Sequence, residues 1–288
     1  MTRCCVFAHF DQDDKVDEYV LYYLSQLLEN VDNLQFVTTS KLSQSDLDRL
    51  KTLGVNVIQR DNVGYDFFSY KTGLEALTMD YDEVVLCNDS VYGPFFNLSD
   101  LFRKMANVEC DFWGVTESYE IAHHLQSYFL VFRQSVIDAP SFWEFWRTME
   151  ILSDRRQVIQ SYEIGLSQKL LSRGFSSACV IQTANQSFGR RIMRSLPQFY
   201  RRFRLRWKEG VLYRHLLEVL LRRKKLEINT THLEWKTTLA TRNTPFLKIE
   251  LLRDNPMQVA EVDQALGLIS SISNYPTALI SNHLERVK

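Results

Sequence analysis

Glycine and proline are scarce in this chain, ten and six of 288 residues, which leaves little room for flexible linkers or low-complexity tracts. No segment recurs at the period of a solenoid repeat. The five cysteines (Cys4, Cys5, Cys87, Cys110 and Cys179) are odd in number, scattered, and never spaced CxxC. That excludes the usual structural zinc spacing and argues for reduced thiols in a reducing compartment. The six histidines show no HExxH or other zinc pattern. No apolar run approaches the roughly 18 residues of a membrane span. The opening MTRCCVFAHF lacks the basic and long apolar regions of a signal peptide, so it reads as a first strand. A cytoplasmic location is expected, and the sequons at Asn97, Asn185 and Asn229 are expected to be chance matches.

The net charge of −1 hides an asymmetry. From Arg190 to Lys225, thirteen Arg and Lys residues stand against only Glu209 and Glu218, an excess of +11, so the rest of the chain carries −12. Phe199, Tyr200, Phe203, Leu205 and Trp207 interleave with the arginines, the mixture that an interfacial helix on an anionic membrane needs. Nucleic-acid binding is the rival for such a stretch, but no nucleic-acid module accompanies it, so no nucleic-acid partner is expected. A solvated helical face is the plain alternative.

Over the first 115 residues strand and helix signals alternate. The apolar run CCVFAHF is followed by Val16, Tyr19, Val20, Tyr23, Leu24 and Leu27 at helical spacing. NLQFVTTS, VNVIQR, YDEVVLCND and CDFWGVTES read as further strands. The helices between them are SQSDLDRLKTLG, closed by Gly54, then DFFSYKTGLEALTMD, then LSDLFRKMAN capped by Ser99. This alternation predicts an α/β fold with a mainly parallel sheet covered by helices. Beyond it, LQSYFLVFRQSVI reads as one long strand, SFWEFWRTMEIL and QVIQSYEIGLSQKLLSRGF as helices, and SACVIQTA as a last strand. A boundary near residue 185 would separate a catalytic domain, 1–185, from a helical C-terminal region, 186–288, that completes the site.

In such sheets ligands gather at the carboxyl ends of the strands, where Asp11, Thr39, Asp61, Asp89 and Glu117 fall. The stretch LCNDSVYGPF places Asn88 and Asp89 at the tip of a buried strand, where Asp89 could hold a metal or phosphate or merely cap a turn. Asn62-x-Gly64 leads into a helix with Asp66 in its first turn and Lys71 inside it. A helix N-terminus suits a diphosphate, although helix capping alone would explain Asp66.

Taken in order, VFAHFD, NVGYDFFSYKTGLEAL, NDSVYGP, DFWGVTES, HLQSYFLVFRQSVI, YEIGLSQKLL, THLEW, PFLKIELLRDNP and YPTALISNHL resemble the rhamnan synthesis protein F family. These are glycosyltransferases of bacterial rhamnose-containing polysaccharides. The Asn62-x-Gly64 to LCND part is also similar to inverting glycosyltransferases of family 2 type. The resemblance implies a GT-A-like fold in which a DxD motif holds Mg²⁺ or Mn²⁺ against a nucleotide diphosphate. Here Cys87 takes the first DxD position and only Asp89 carries a carboxylate, so metal dependence is weakened. Gly93-Pro94 would then turn the chain away to leave room for the donor.

By the same resemblance Glu163 is the general base, with Asp111 and Glu117 as rivals and a pairing with Lys169 as its plain alternative. His9 and Asp11 would lie near the nucleobase, and Asn62, Gly64, Asp66, Lys71 and Asn88 around the donor. His232, Lys248 and Arg253 would lie at the diphosphate, unless the last two simply pair with Glu250 and Asp254. The implied reaction is transfer of L-rhamnose from dTDP-rhamnose to a lipid-linked saccharide at the inner face of the plasma membrane. The alternatives are another deoxysugar, or a non-catalytic glycan-binding or assembly subunit of the same fold.

Overall fold

A computed structural model describes residues 1–119, 121–181, 230–233, 235–241 and 244–287. The basic stretch 190–225 and the expected boundary near 185 lie outside the described residues.

The first half of the chain builds β1 (Arg3–His9), α1 (Glu18–Leu28), β2 (Asn33–Thr38), α2 (Gln44–Leu53), β3 (Asn56–Gln59), α3 (Tyr65–Glu75), β4 (Glu83–Asn88), β5 (Val91–Tyr92) and α4 (Leu98–Ala106). Then come β6 (Phe112–Ser118), β7 (His124–Leu125), β8 (Phe129–Arg133), α5 (Gln134–Ile137), α6 (Pro140–Arg147), α7 (Arg155–Val158), a π-helical stretch Ile159–Ile164, α8 (Gly165–Ser172) and β9 (Ser177–Ile181). The strands pair in the order β3-β2-β1-β4-β8-β6-β7, with β9 added to β6. β1 to β4, β6 and β9 run the same way, and β7 and β8 oppose them. This is the mainly parallel, helix-covered α/β sheet that the alternation predicts.

Both faces of the sheet are buried, and the two-residue period of a strand assigns each side chain to one face. Cys5, Phe7, Val85 and Cys87 pack with α1 and α4, whereas Cys4, Val6, Val84 and Leu86 pack with α3, α6 and α8. The helical stripe expected from Val16 to Leu27 is the buried face of α1 and its approach. All five cysteines are free and buried.

Two local expectations change. LQSYFLVFRQSVI is not one strand: it is β7, a turn at Ser127-Tyr128, β8 and α5, and the turn forms because Ser127 is bonded across to Glu163. The cap of α4 is Asn97, whose Oδ1 accepts the Ser99 N–H at 2.7 Å; the Ser99 hydroxyl donates instead to Asn30.

The described C-terminal residues pack into the same core as α1 and the sheet. Phe246 packs against Tyr23 and Phe129, with ring centroids 5.2 and 5.4 Å apart, contacts worth about 0.5–1.5 kcal/mol each beyond burial. Immediately after it β10 (Leu247–Lys248) pairs antiparallel with β5. Gly93 makes this approach feasible, since its φ is +126° and a side chain there would collide with the Pro245 carbonyl. The sequence expects the Gly93-Pro94 turn to leave room for a donor, and the structure shows what packs against it. It receives the strand that brings in Lys248. No helix among the described residues is long and apolar enough to cross a membrane.

Candidate functional site

The carboxyl ends of β1 and β4 open into a cleft of about 740 Å³. Asp11, Asp66, Asn88, Asp89, Glu163, Lys248 and Arg253 of the expected residues all line it.

Asp89 does not cap a turn. Asn88 does so, its Oδ1 accepting from the Ser90 N–H at 3.1 Å and the Ser90 hydroxyl at 2.5 Å. The Asp89 carboxylate instead accepts the Phe10 N–H at 2.8 Å, while its carbonyl accepts the Tyr19 hydroxyl at 3.1 Å. Asp66 is likewise no cap, because Gly64 holds the N-cap position of α3 and the Asp66 Oδ2 accepts from Asn88 Nδ2 at 2.9 Å. Lys248 Nζ donates to Ser90 Oγ at 3.0 Å and lies 4.5 Å from the centre of the Tyr128 ring. A continuous hydrogen-bonded chain thus runs Lys248–Ser90–Asn88–Asp66 across the tip of β4.

The electrostatics of this tip are unbalanced. Burial, then the charges of Asp66 and Asp11, push the Asp89 carboxyl well above the usual range, against the opposing pull of the Phe10 N–H. Burial also raises Asp66, with Glu163 adding to it and Lys248 opposing. Burial lowers the Lys248 ammonium, although Glu163 and Asp66 favour its charge. Poorly solvated negative charge facing a cleft is an environment that an added cation relieves. Asp89 is the one carboxylate at the motif positions that could take a divalent ion. Cys87 cannot assist, since its sulfur is buried 3.4 Å from that of Cys5.

Glu163 lies in the π-helical stretch, a distortion that often marks functional positions. Its Oε1 accepts from Ser127 N at 2.8 Å and Ser127 Oγ at 2.9 Å. It does not pair with Lys169, which bonds Glu144 at 3.0 Å. The two rivals are engaged away from the cleft. Asp111, at the amino end of β6, accepts from Ser176 and Ser135, and Glu117 is buried against His123 at 2.9 Å.

The remaining expected site residues stand outside the cleft lining. His9 lies under its floor, bonded to Thr38 Oγ1 at 2.9 Å, and burial lowers its pKa to about 4 so that it stays neutral. Asn62 is exposed on the loop before α3, and Gly64 supplies that loop's left-handed turn, φ +72°. Arg60 holds the same loop by donating to the carbonyls of Asp61, Val63 and Tyr65. Lys71 reaches the other way, toward the Arg147 and Met149 carbonyls at the end of α6, an arrangement that satisfies orphan helix carbonyls. His232 is buried, and its burial lowers its pKa; its Nδ1 has no partner among the described residues. Arg253, which does line the cleft, pairs with Asp254 at 2.8 Å, the plain alternative.

Sequence reasoning gave no site role to Ser127, to Arg155 or to the expected C-terminal helix, Ala278–Val287, which brings His283 and Val287 to the cleft. Ser127 and His283 fall inside the quoted stretches HLQSYFLVFRQSVI and YPTALISNHL, but nothing in those stretches marks either as a site residue. Arg286 of the same helix reaches Asp11, Asp13 and Asp17. Burial pushes the Asp11 carboxyl up, but the Arg286 hydrogen bond and the Asp13 N–H outweigh it and hold the group below the usual value.

Among known proteins, the chain is 31% identical over 165 residues to the uncharacterized protein y4gN of Sinorhizobium fredii, covering 55% of this chain and 43% of that protein. It is 27% identical over 240 residues to the virulence protein VirA of Vibrio anguillarum, covering 79% and 73%. The chain thus spans less than half of the first relative. Solved structures with similarity include a mannosyltransferase of Pyrobaculum calidifontis in complex with GDP-Man and Mn²⁺, 11% identical, TM-score 0.42, over 99% of this chain and 79% of that one. The glycosyltransferase GlyE of Streptococcus pneumoniae is 12% identical, TM-score 0.41, over 70% and 50%. The family model for rhamnan synthesis protein F matches residues 34–202, more than half of the sequence. The chain belongs to the rhamnan synthesis protein F family.

Proposed function

We propose that this protein is an inverting glycosyltransferase that moves L-rhamnose from dTDP-rhamnose to a growing, lipid-linked cell-surface saccharide of O-antigen or rhamnan type. The observation that carries the reading is one cleft lined both by the Asp89–Lys248 end of the sheet and by Glu163 in its π-helical turn. Glu163 accepts the proton of the acceptor hydroxyl as that oxygen attacks the anomeric carbon. The bond from that carbon to the diphosphate breaks on the opposite face, and the diphosphate leaves with the electron pair. Lys248 supplies positive charge where the leaving group gains negative charge. Mg²⁺ or Mn²⁺, held by Asp89, would add charge neutralisation of the same diphosphate.

The test is release of free nucleotide diphosphate from a panel of nucleotide sugars with a rhamnose-terminated acceptor. Turnover is expected with dTDP-rhamnose. Turnover only with another deoxysugar would correct the donor. The buried Cys87 at the first motif position favours a second reading, a glycan-binding or assembly subunit without activity, and glycan binding with no donor turnover would establish it.

The +11 of residues 190–225 supports a peripheral position on the inner membrane face. Flotation with liposomes should require anionic lipid and weaken as the Debye length falls from about 10 Å at 0.1 M salt to about 3 Å at 1 M. Exchanging Arg201, Arg202, Arg204 and Arg206 for Glu should release the protein. Flotation indifferent to lipid charge returns the stretch to a solvated helical face.

A further inference from the structure

The group of His, Asp, Glu and Cys side chains among the described residues whose ligand atoms lie close enough to share one ion is Asp11, Asp17 and His283, within 4.8 Å of one another. The space between them is already served by a cation of the chain itself. Arg286 Nη2 donates to Asp11 Oδ2 and, at 2.5 Å, to Asp17 Oδ2, while Nη1 donates to Asp13 Oδ2 and, at 3.2 Å, to Asp11 Oδ1. His283, one turn earlier, is fixed by the Tyr92 hydroxyl at 2.6 Å and faces Asp17 at 3.5 Å. A planar guanidinium with several donors can hold carboxylates from separate turns at once, which an ammonium cannot do.

What Arg286 grips is the loop joining β1 to α1. Asp11 Oδ1 also accepts the N–H groups of Asp13 at 2.9 Å and Lys15 at 3.3 Å, so this one carboxylate gathers the loop around itself. The Asp11 backbone is held in turn by Ser40, whose hydroxyl accepts the Asp11 N–H at 2.8 Å and donates to the Asp11 carbonyl at 3.0 Å. The residue immediately before Asp11 is Phe10, whose N–H is the donor to the Asp89 carboxylate. Contacts therefore run without a gap from the C-terminal helix, through Asp11 and the Phe10 amide, to the strand tip that faces the cleft. With its carboxylate this fully engaged, Asp11 organises the loop.

We propose that Arg286 is a positioning residue for the donor site: its guanidinium clasps the loop after β1, and through the Phe10 amide that loop fixes the Asp89 carboxylate. The proposal rests on the glycosyltransferase reading for its kinetic consequence and on geometry alone for the clasp. Arg286 touches no reacting atom, so its loss acts on donor engagement more than on the chemical step.

The experiment compares the full-length chain with Arg286→Ala and Arg286→Lys in two measurements. Amide hydrogen exchange of the protein alone should speed up at residues 10–17 in the alanine variant, with the lysine variant between it and the parent. In turnover with dTDP-rhamnose as the probe, the alanine variant should raise the donor KM about tenfold while kcat changes little, and lysine should recover part of the loss. Unchanged exchange at residues 10–17 overturns the clasp. Faster exchange with an unaltered donor KM overturns the positioning role. A parent protein that turns over no donor sinks the glycosyltransferase reading, and the exchange measurement then still decides whether the clasp exists. If the alanine variant does not fold, the lysine variant is judged by the same two criteria.

Discussion

Glu163→Gln is expected to bind the nucleotide sugar normally and to lose about 10²–10⁴-fold in transfer rate, the range typical for removal of a general base. Binding should survive because the glutamine carbonyl oxygen can still accept from Ser127 N and Oγ, the contacts that anchor this side chain across the cleft. What disappears is the ability to take a proton from the acceptor hydroxyl at neutral pH. Thermal shift with nucleotide sugar, set beside single-turnover transfer, separates the two effects. A loss below about tenfold would move the base elsewhere. Asp111 and Glu117 do not line the cleft, so Glu250, which does, would be next to examine.

Asp89→Asn should move activity and stability in opposite directions. Transfer should fall by at least about 10²-fold, the scale of losing one electrostatic contact to a developing charge. The fold should be retained or strengthened, because asparagine can still accept the Phe10 N–H yet no longer repels Asp66 and Asp11. The sign follows from linkage. A carboxyl raised above its ordinary 3.8 binds its proton more tightly folded than unfolded, so its contribution to stability declines as pH rises above that value. The asparagine variant should lack that decline. Melting temperature followed across the range above pH 4 gives one readout, and diphosphate release the other. Parent-like turnover at saturating donor with Mg²⁺ or Mn²⁺ present would remove Asp89 from the site.

What could be read from the sequence was whatever is encoded locally. The apolar stripe from Val16 to Leu27, the Gly54 stop and the buried run ending at Asn88-Asp89 each depend on neighbours a few residues away, and each gave its element. The direction in which a polar side chain points is not encoded in this way. Lys71 satisfied a helix-N-terminus pattern, yet its long side chain found free carbonyls at the end of α6. His9 occupied the right strand end but faced inward, where Thr38 offered a partner. Ser99 had the right chemistry for a cap two positions late, because Asn97 was already placed to accept its N–H. Lys248 was singled out for its charge, but its value to the site comes from β10 pairing with β5, which no pattern around residue 248 announces. Arg286 was not legible at all, since the acidic cluster it serves lies at the other end of the chain.

That last separation bears on the order in which the protein can be made. The contact between Lys248 and Ser90 spans 158 positions, and that between Arg286 and Asp11 spans 275. A nascent chain that has emerged as far as residue 181 already contains Asp66, Asp89 and Glu163, every carboxylate assigned to chemistry. It still lacks the lysine that counters their charge and the arginine that gathers the first loop. Topologies dominated by such distant pairings assemble late, because loop closure must precede the contacts that reward it. Translation therefore delivers the carboxylates of this cleft, together with Arg155, before Lys248 and Arg286.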